Sequence, residues 1–304
     1  MQLRLTLMKK STKVFLWVIG VVLAGSVLIA VLIFAGGTEE SEYDLSGHGA
    51  KVAVVNLTGT IISSREIVST LQTLAKNKSV KAILLRVDSP GGGVAASQEI
   101  FEEVESIRDS VKPIVVSMGS LAASGGYYVS CGATRIVANP GTITGSIGVI
   151  AMFPNYAKLM GKLGLQMDVI KSGKYKDSGS PFRQMTEQDK KYFQGVVEDS
   201  YDQFLNAVAK ERKLPIDKLK KFADGRVFTG AQALKLGLVD TLGSFEDAIK
   251  IAAKLGGIKG EPVVVEAKKP RTLADLIFGD MFSRLHIFEK DFIEQPILQY
   301  RFSQ

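Results

Sequence analysis

The stretch "KAILLRVDSPGGG", residues 81–93, decides how the rest of the chain reads. A short apolar run of buried-strand type ends in an aspartate, a serine, a proline and three glycines, a strong loop signal. The next segment places Ile100, Val104 and Ile107 at i, i+4 and i+7, the spacing of one helical face. A second buried run, "PIVVSM" (113–118), ends in "GSLAASGG" (119–126), ahead of a short apolar helix.

The alternation extends outward from this unit. "KVAVVNL" (51–57) predicts a strand, and "SREIVSTLQTLAKN" (64–77) a helix with Ile67, Leu71 and Leu74 on one face. "TRIVANP" (134–140) reads as a strand or edge segment, and "TITGSIGVI" (142–150) as a glycine-punctuated loop running into a strand. "LQMDVIKSG" (165–173) is strand-like. "TEQD" (186–189) opens a helical region to about residue 212, with acids in its first turn. Residues 225–256 give two further helices joined by a short strand. Apolar strands alternating with helices predict an α/β fold whose sheet faces are covered. The pattern ends near residue 269, so residues 51–269 form the predicted domain and 270–304 a tail or an amphipathic helix.

The N-terminus has a different character. Residues 14–36, "VFLWVIGVVLAGSVLIAVLIFAG", carry no charge, and at helical rise they suffice to span a bilayer core of roughly 30 Å. The run exceeds the roughly 7–15 apolar residues of a cleaved signal peptide, which predicts a retained anchor. Basic residues precede it within 1–13 and acids follow it in the linker 37–50. That bias predicts a single-pass protein of the cell membrane, with its N-terminus cytoplasmic and the large domain on the extracytoplasmic side.

Composition narrows the function. The net charge is +7, and Arg4, Lys9, Lys10 and Lys13 supply four of those charges before the apolar run. No basic stripe interleaved with aromatics follows, which argues against nucleic-acid binding. A single cysteine, Cys131, excludes an intrachain disulfide and a cysteine zinc site, and reads as a small core residue. Only His48 and His286 are present, both outside the patterned core. A Ser-His-Asp triad or a histidine metal centre is therefore disfavoured.

Ser124, followed by Gly125 and Gly126, is either a nucleophile or a capping serine beside a tight packing contact. A serine nucleophile needs a base and donors for an oxyanion. The Gly125 N–H at a helix start is one such donor, and the glycines of "SPGGG" (89–93) offer another at the same sheet edge. Ala122 stands where a G-x-S-x-G elbow requires glycine, so an α/β-hydrolase is disfavoured. With no core histidine, the base falls to a lysine: Lys171, Lys174 or Lys176 of "KSGKYKDSGSPF" (171–182), oriented by a hydroxyl such as Ser146 or Ser178.

"VDSPGGGV", "SMGSLAASGGYYVS", "ITGSIGVI", "IKSGKYKD" and "DGRVFTGAQALKLGLVD" occur together and in order. In this the chain resembles the S49 serine-peptidase family in its short bacterial, signal-peptide-peptidase form, over roughly residues 51–255. The resemblance implies a ClpP/crotonase-like fold with one N-terminal transmembrane helix. It implies a Ser–Lys dyad: Ser124 as nucleophile, Lys176 as general base, Ser146 as the residue that orients the lysine, and the N–H groups of Gly91 and Gly125 as oxyanion donors. It also implies a homo-octamer whose active sites are shared between subunits, so that a monomer is inactive. The implied activity is endopeptidase hydrolysis of remnant signal peptides or other apolar peptides at the bilayer, without metal or cofactor. Two alternatives stand beside it: a crotonase-like acyl-CoA enzyme and a non-catalytic membrane scaffold. Gly- and Ala-rich surroundings with Leu121 and Met118 predict a pocket for small or aliphatic side chains.

Overall fold

Strand β1 (Lys51–Thr58) is buried along nearly its whole length, and so is β2 (Val80–Ser89), which pairs with it in parallel. The computed structural model describes residues 49–267 and 298–302, with residues 15, 17–21, 23 and 25 near the N-terminus. Those N-terminal positions are helical. The rest of the predicted span 14–36, most of the linker, and the tail other than 298–302 lie outside the described residues. Among the described residues no helix is long and apolar enough to cross a membrane.

Between β1 and β2 lies α1 (Arg65–Lys76), which buries Leu71 and Leu74 as its spacing predicted. β3 (Gly91–Gly93) follows, then α2 (Val94–Ser110), whose buried face holds Ile100, Val104 and Ile107. β4 (Ile114–Ala123) leads into α3 (Gly125–Cys131). The smaller elements are β5 (Arg135–Ala138), β6 (Ile143–Gly145), β7 (Ile150–Ala151) and α4 (Ala157–Lys162). Next come α5 (Glu187–Arg212), α6 (Ile216–Lys220), β8 (Val227–Thr229), α7 (Gly230–Leu236), β9 (Thr241–Leu242), α8 (Phe245–Leu255) and β10 (Val263–Glu266). β11 (Leu298–Arg301) closes the list.

The main sheet runs β10-β1-β2-β4-β5-β9, all parallel, and β6 pairs with the far end of β4 and antiparallel with β8. The fold is thus α/β with a mixed sheet, consistent with a ClpP-like architecture. Helices cover both faces. One core packs α1, α2, α3 and α5 on the sheet, and a smaller one packs Ala248, Ile249, Ala252 and Ala253 of α8 on Val52, Leu84 and Val115. Full burial of residues such as Ile83, Leu85 and Ile114 is worth roughly 1.5–3 kcal/mol each. Cys131 lies in this core, 1% exposed, where burial pushes its thiol up to about 12.

Two expectations fail locally. Residues 165–171 form no strand, because the segment is exposed throughout and has no partner strand to satisfy its backbone. Part of the tail, Leu298–Arg301, is a strand rather than a helix, paired antiparallel on both sides.

Candidate active site

β4 ends at Ala123, and the chain turns sharply at Ser124. Its φ of 53° and ψ of −115° lie in a region that residues with a Cβ rarely adopt, a strain of about 1–3 kcal/mol. The turn is fixed from both sides. The Ser124 N–H donates to the Gly145 carbonyl at 2.8 Å, and its own carbonyl accepts from Tyr128 N–H at 2.8 Å. Ser124 stands at the N-cap of α3, yet its side chain makes no capping hydrogen bond. The hydroxyl is buried and has no partner among the described residues. The capping alternative is thereby excluded.

The glycines after it serve close packing. A Cβ on Gly125 would lie 2.5 Å from Ser97 Oγ, and one on Gly126 would lie 3.0 Å from the Ser89 carbonyl. Gly91, at φ +93°, comes to the same point: a Cβ there would lie 2.5 Å from Gly125 N. The fold therefore brings together Ser124, Gly125 and Gly91 from two loops at the same sheet edge. The Gly91 N–H donates to Ser89 Oγ at 3.1 Å, and Ser89 Oγ in turn donates to the Gly59 carbonyl at 2.6 Å.

Ser146 also lies close in the fold. It follows Gly145, which accepts from Ser124, and it too has positive φ, 50°. Its N–H donates to the Arg226 carbonyl at 2.9 Å. Ser146 lines a cavity of about 550 Å³ together with Ile150, Glu198, Tyr201, Asp224 and Arg301.

The lysines lie elsewhere. Their loop is pinned to the N-terminus of α5 by charge. Asp177 accepts from Lys171 at 2.5 Å and from Arg183 at 2.9 Å, and Arg183 also reaches Asp189 at 2.7 Å. Asp189 closes the capping box with Thr186 and accepts from the Ser178 hydroxyl at 2.5 Å. Arg183, foremost, then Ser178 and Thr186 hold the Asp189 carboxyl well below the usual carboxylate range. Lys171 is thus committed to an ion pair, and Lys174 lies 5.7 Å from the ring centroid of Tyr175. Lys176 is exposed and makes no hydrogen bond with the Ser124 hydroxyl.

Sequence reading did not anticipate what lies across Ser124. β11 runs antiparallel between β3 and β7, with Tyr300 opposite Gly92 and Gln299 opposite both Gly93 and Ile150. Phe302 N–H donates to the Pro90 carbonyl at 2.8 Å. Antiparallel alternation then makes Gly92 and Tyr300 the next hydrogen-bonding pair. The Tyr300 carbonyl reaches the meeting point of the two loops: a Cβ on Gly91 would lie 2.0 Å from it, and one on Gly125 3.1 Å. An extended segment of this chain therefore lies in the groove as an added strand, a recurrent mode of peptide recognition. Gly92 and the β7 edge are the groove residues that sequence reading missed. The second glycine of "PGGG", Gly92, was the available signal for a close backbone approach, since a Cβ there would lie 2.0 Å from the Ile61 carbonyl, whereas two-residue β7 carries no pattern at all.

Comparison with known proteins bears on the family and the fold. A family model described as Peptidase family S49 matches residues 106–259, half of the chain, and one described as Clp protease matches residues 37–142. A protein of Synechocystis sp. is 44% identical over 232 residues, covering 75% of this chain and 83% of its own. "Protease 4" of Haemophilus influenzae is 39% identical over 214 residues, 67% of this chain and 35% of its own. "Serine protease SPPA, chloroplastic" of Arabidopsis thaliana is 35% identical over 225 residues, 73% of this chain and 33% of its own.

Proposed function

The chain belongs to peptidase family S49 and is a serine peptidase; from that premise we propose that Ser124 is its nucleophile, Lys176 its general base, and remnant signal peptides or similar apolar peptides its substrates. The observation that carries the reading is the strained, buried, unpartnered Ser124 hydroxyl beside the junction of Gly91 and Gly125, with a peptide carbonyl already at that junction.

In the proposed reaction, neutral Lys176 Nζ takes the Ser124 hydroxyl proton as Oγ bonds to the substrate carbonyl carbon. The carbonyl oxygen becomes an oxyanion facing the amides of Gly125 and Gly91, the latter turning from Ser89 Oγ toward the new charge. Collapse breaks the C–N bond, and the Lys176 proton goes to the leaving amine. Water, giving a proton to the same lysine, then attacks the ester, and Ser124 leaves with that proton restored. Ser146 orients the lysine.

Within one chain Lys176 is exposed and makes no hydrogen bond with Ser124. The reading therefore has a second copy deliver it, as part of a homo-oligomer with shared sites. Met152, Leu159, Leu163, Leu165, Met167 and Ile170 are all more than half exposed, which supports burial of this segment against another copy. The uncharged run 14–36 supports an anchor in the cell membrane, with the N-terminus cytoplasmic and the catalytic domain outside, near apolar peptides released there. A peptide-cleavage assay on the full chain tests the reading. Cleavage lost in both Ser124→Ala and Lys176→Ala supports it, and full activity in Ser124→Ala refutes it.

A further inference from the structure

Strands β10, β1, β2, β4, β5 and β9 run parallel, so all of them enter at one edge of the sheet and leave at the other. Gly91 and Ser124 follow the ends of β2 and β4, on the exit edge. The entry edge is basic. Lys51 starts β1, Lys76 ends α1, Lys78 lies in the turn before β2 and Lys81 near its start. Lys112 precedes β4 and Arg135 starts β5. Lys254 and Lys259 at the end of α8 complete the edge. A Cβ on Gly256 would lie 2.9 Å from the Lys81 carbonyl, and Lys254 shares a cavity wall with Arg135.

Little negative charge offsets these groups. Lys112 Nζ donates to the carbonyls of Leu74, Asn77 and Val80, each at 2.9 Å, and Lys51 Nζ to Ser79 Oγ at 3.3 Å. Those acceptors are neutral and leave both charges in place. Lys76, Lys78, Lys81, Lys254 and Lys259 are exposed and form no ion pair among the described residues. The carboxylates nearby are largely committed: Glu105, Asp109 and Glu211 to Arg108 and Lys210, and Asp240 to Arg135 and Arg212. Glu261 faces Lys259 across a shared cavity. Two large apolar side chains stand among the lysines, Val111 at 56% exposed and Leu255 at 42%.

We propose that this entry edge docks on the headgroups of anionic phospholipids and holds Ser124 on the side of the domain away from them. The inference rests on the reading of residues 14–36 as a membrane anchor. The connectivity argues for a bilayer as the occupant: the linker 37–50 delivers the chain from the uncharged run to Lys51, on the basic edge rather than the catalytic one. A polar, glycine-containing linker of that length has a mean reach of about 20 Å. Contact with headgroups is then intramolecular, and a patch too weak to hold a free protein suffices. Each lysine near an anionic surface favours the docked state about 5-fold, and salt erases the gain. Exposed Val111 and Leu255 add apolar area suited to the boundary of headgroup and acyl chain. The ten residues of β4 separate the two edges by about 30 Å, so a peptide reaches Ser124 as a chain lifted clear of the headgroups.

The test places the full chain in vesicles of phosphatidylcholine, with or without phosphatidylglycerol, that carry a headgroup-linked quencher. One fluorophore is attached at Ser110→Cys, beside Val111 on the entry edge, or at Ser120→Cys, near the end of β4; Cys131 is buried and stays unlabelled. With phosphatidylglycerol present, the probe at 110 should be quenched several-fold more than the probe at 120, and about 0.5 M NaCl should erase the difference. Combining Lys78→Gln, Lys81→Gln, Lys254→Gln and Lys259→Gln removes four exposed charges without breaking an ion pair. That variant should lose the effect of phosphatidylglycerol and still be retained by phosphatidylcholine vesicles. Equal quenching of the two probes, stronger quenching at 120, or quenching indifferent to phosphatidylglycerol overturns the docking face. Unchanged quenching with a smaller oligomer in the fourfold variant assigns the edge to another copy of the chain and overturns it as well. A chain that phosphatidylcholine vesicles do not retain sinks the anchor reading alone. The docking face is then kept by salt-reversible flotation with phosphatidylglycerol vesicles that the fourfold variant loses, and overturned by its absence.

Discussion

The N–H of Ser124 donates to the carbonyl of Gly145 at 2.8 Å, tying the end of β4 to the end of β6. The bond has two effects. It holds Ser124 at positive φ, and it places Ser146, next along the chain, beside the same site. A serine at the end of one strand is thereby coupled to a serine at the end of its neighbour.

Ser124 separates stability from activity. Its hydroxyl has no partner to lose, so Ser124→Ala should leave the melting temperature within a few degrees while activity falls by about 10³-fold or more. Ser124→Gly should be more stable than Ser124→Ala by about 1 kcal/mol, because glycine accepts φ near 53° without strain. Thermal denaturation with a parallel cleavage assay checks both. A large loss of stability in Ser124→Ala would show that the hydroxyl is structural.

Lys176→Ala should abolish cleavage, whereas Lys174→Ala should keep most of it. Activity of the unsubstituted chain should rise with pH, since a general base works in its unprotonated form. A flat profile from about pH 6 to pH 10 would contradict a lysine base. Mixing Ser124→Ala with Lys176→Ala should restore part of the activity if the two residues of one site come from different copies. No recovery after co-expression would refute shared sites.

Gly125→Ala should destabilise the domain by about 1–3 kcal/mol, because its Cβ would stand 2.5 Å from Ser97 Oγ in a closely packed core. Adding Ser97→Ala should recover part of that stability by clearing the contact. Urea denaturation of the single and double variants measures the coupling. Additive effects would mean that the glycine is required for another reason.

The loop that carries Lys176 should loosen in acid. Arg183, then Lys171, hold the Asp177 carboxyl at about 2. In an unfolded chain an aspartate titrates near 3.9. The folded value is the lower one, so the stabilisation is complete above the unfolded value and is lost as pH falls from about 4 toward about 2. Hydrogen exchange across residues 171–183 should accelerate in that window. Arg183→Gln should shrink the acid-induced acceleration, because the Asp177 carboxyl then titrates nearer its unfolded value, and an unchanged amplitude would count against the network.

Much of the fold was legible because its signals are local. Buried strands at 51–57, 81–87 and 113–118 and the helical faces of Leu71 with Leu74 and of Ile100 with Val104 carry their periodicity in consecutive residues. The segment 165–173 shows the limit of that reading. Its composition suits a strand, yet a strand exists only where another backbone supplies its hydrogen bonds, and here none does. The tail shows the converse: Leu298–Arg301 has little pattern, and becomes a strand because β3 and β7 present two free edges to it.

The site divides along the same line. By itself the sequence determined the chemical cast: a serine with adjacent glycines, a glycine loop after a buried strand, three lysines and no core histidine. The tertiary structure alone decided the geometry. It showed that the Ser124 hydroxyl caps nothing, that Gly91 and Gly125 meet, that Lys176 makes no hydrogen bond with that serine within the chain, and that Tyr300 of the tail lies opposite Gly92. The physical reason is range. Residue type and spacing encode what neighbours along the chain can do, whereas strain at φ 53°, an unpartnered hydroxyl and a tail strand laid between β3 and β7 arise only when distant segments are packed together.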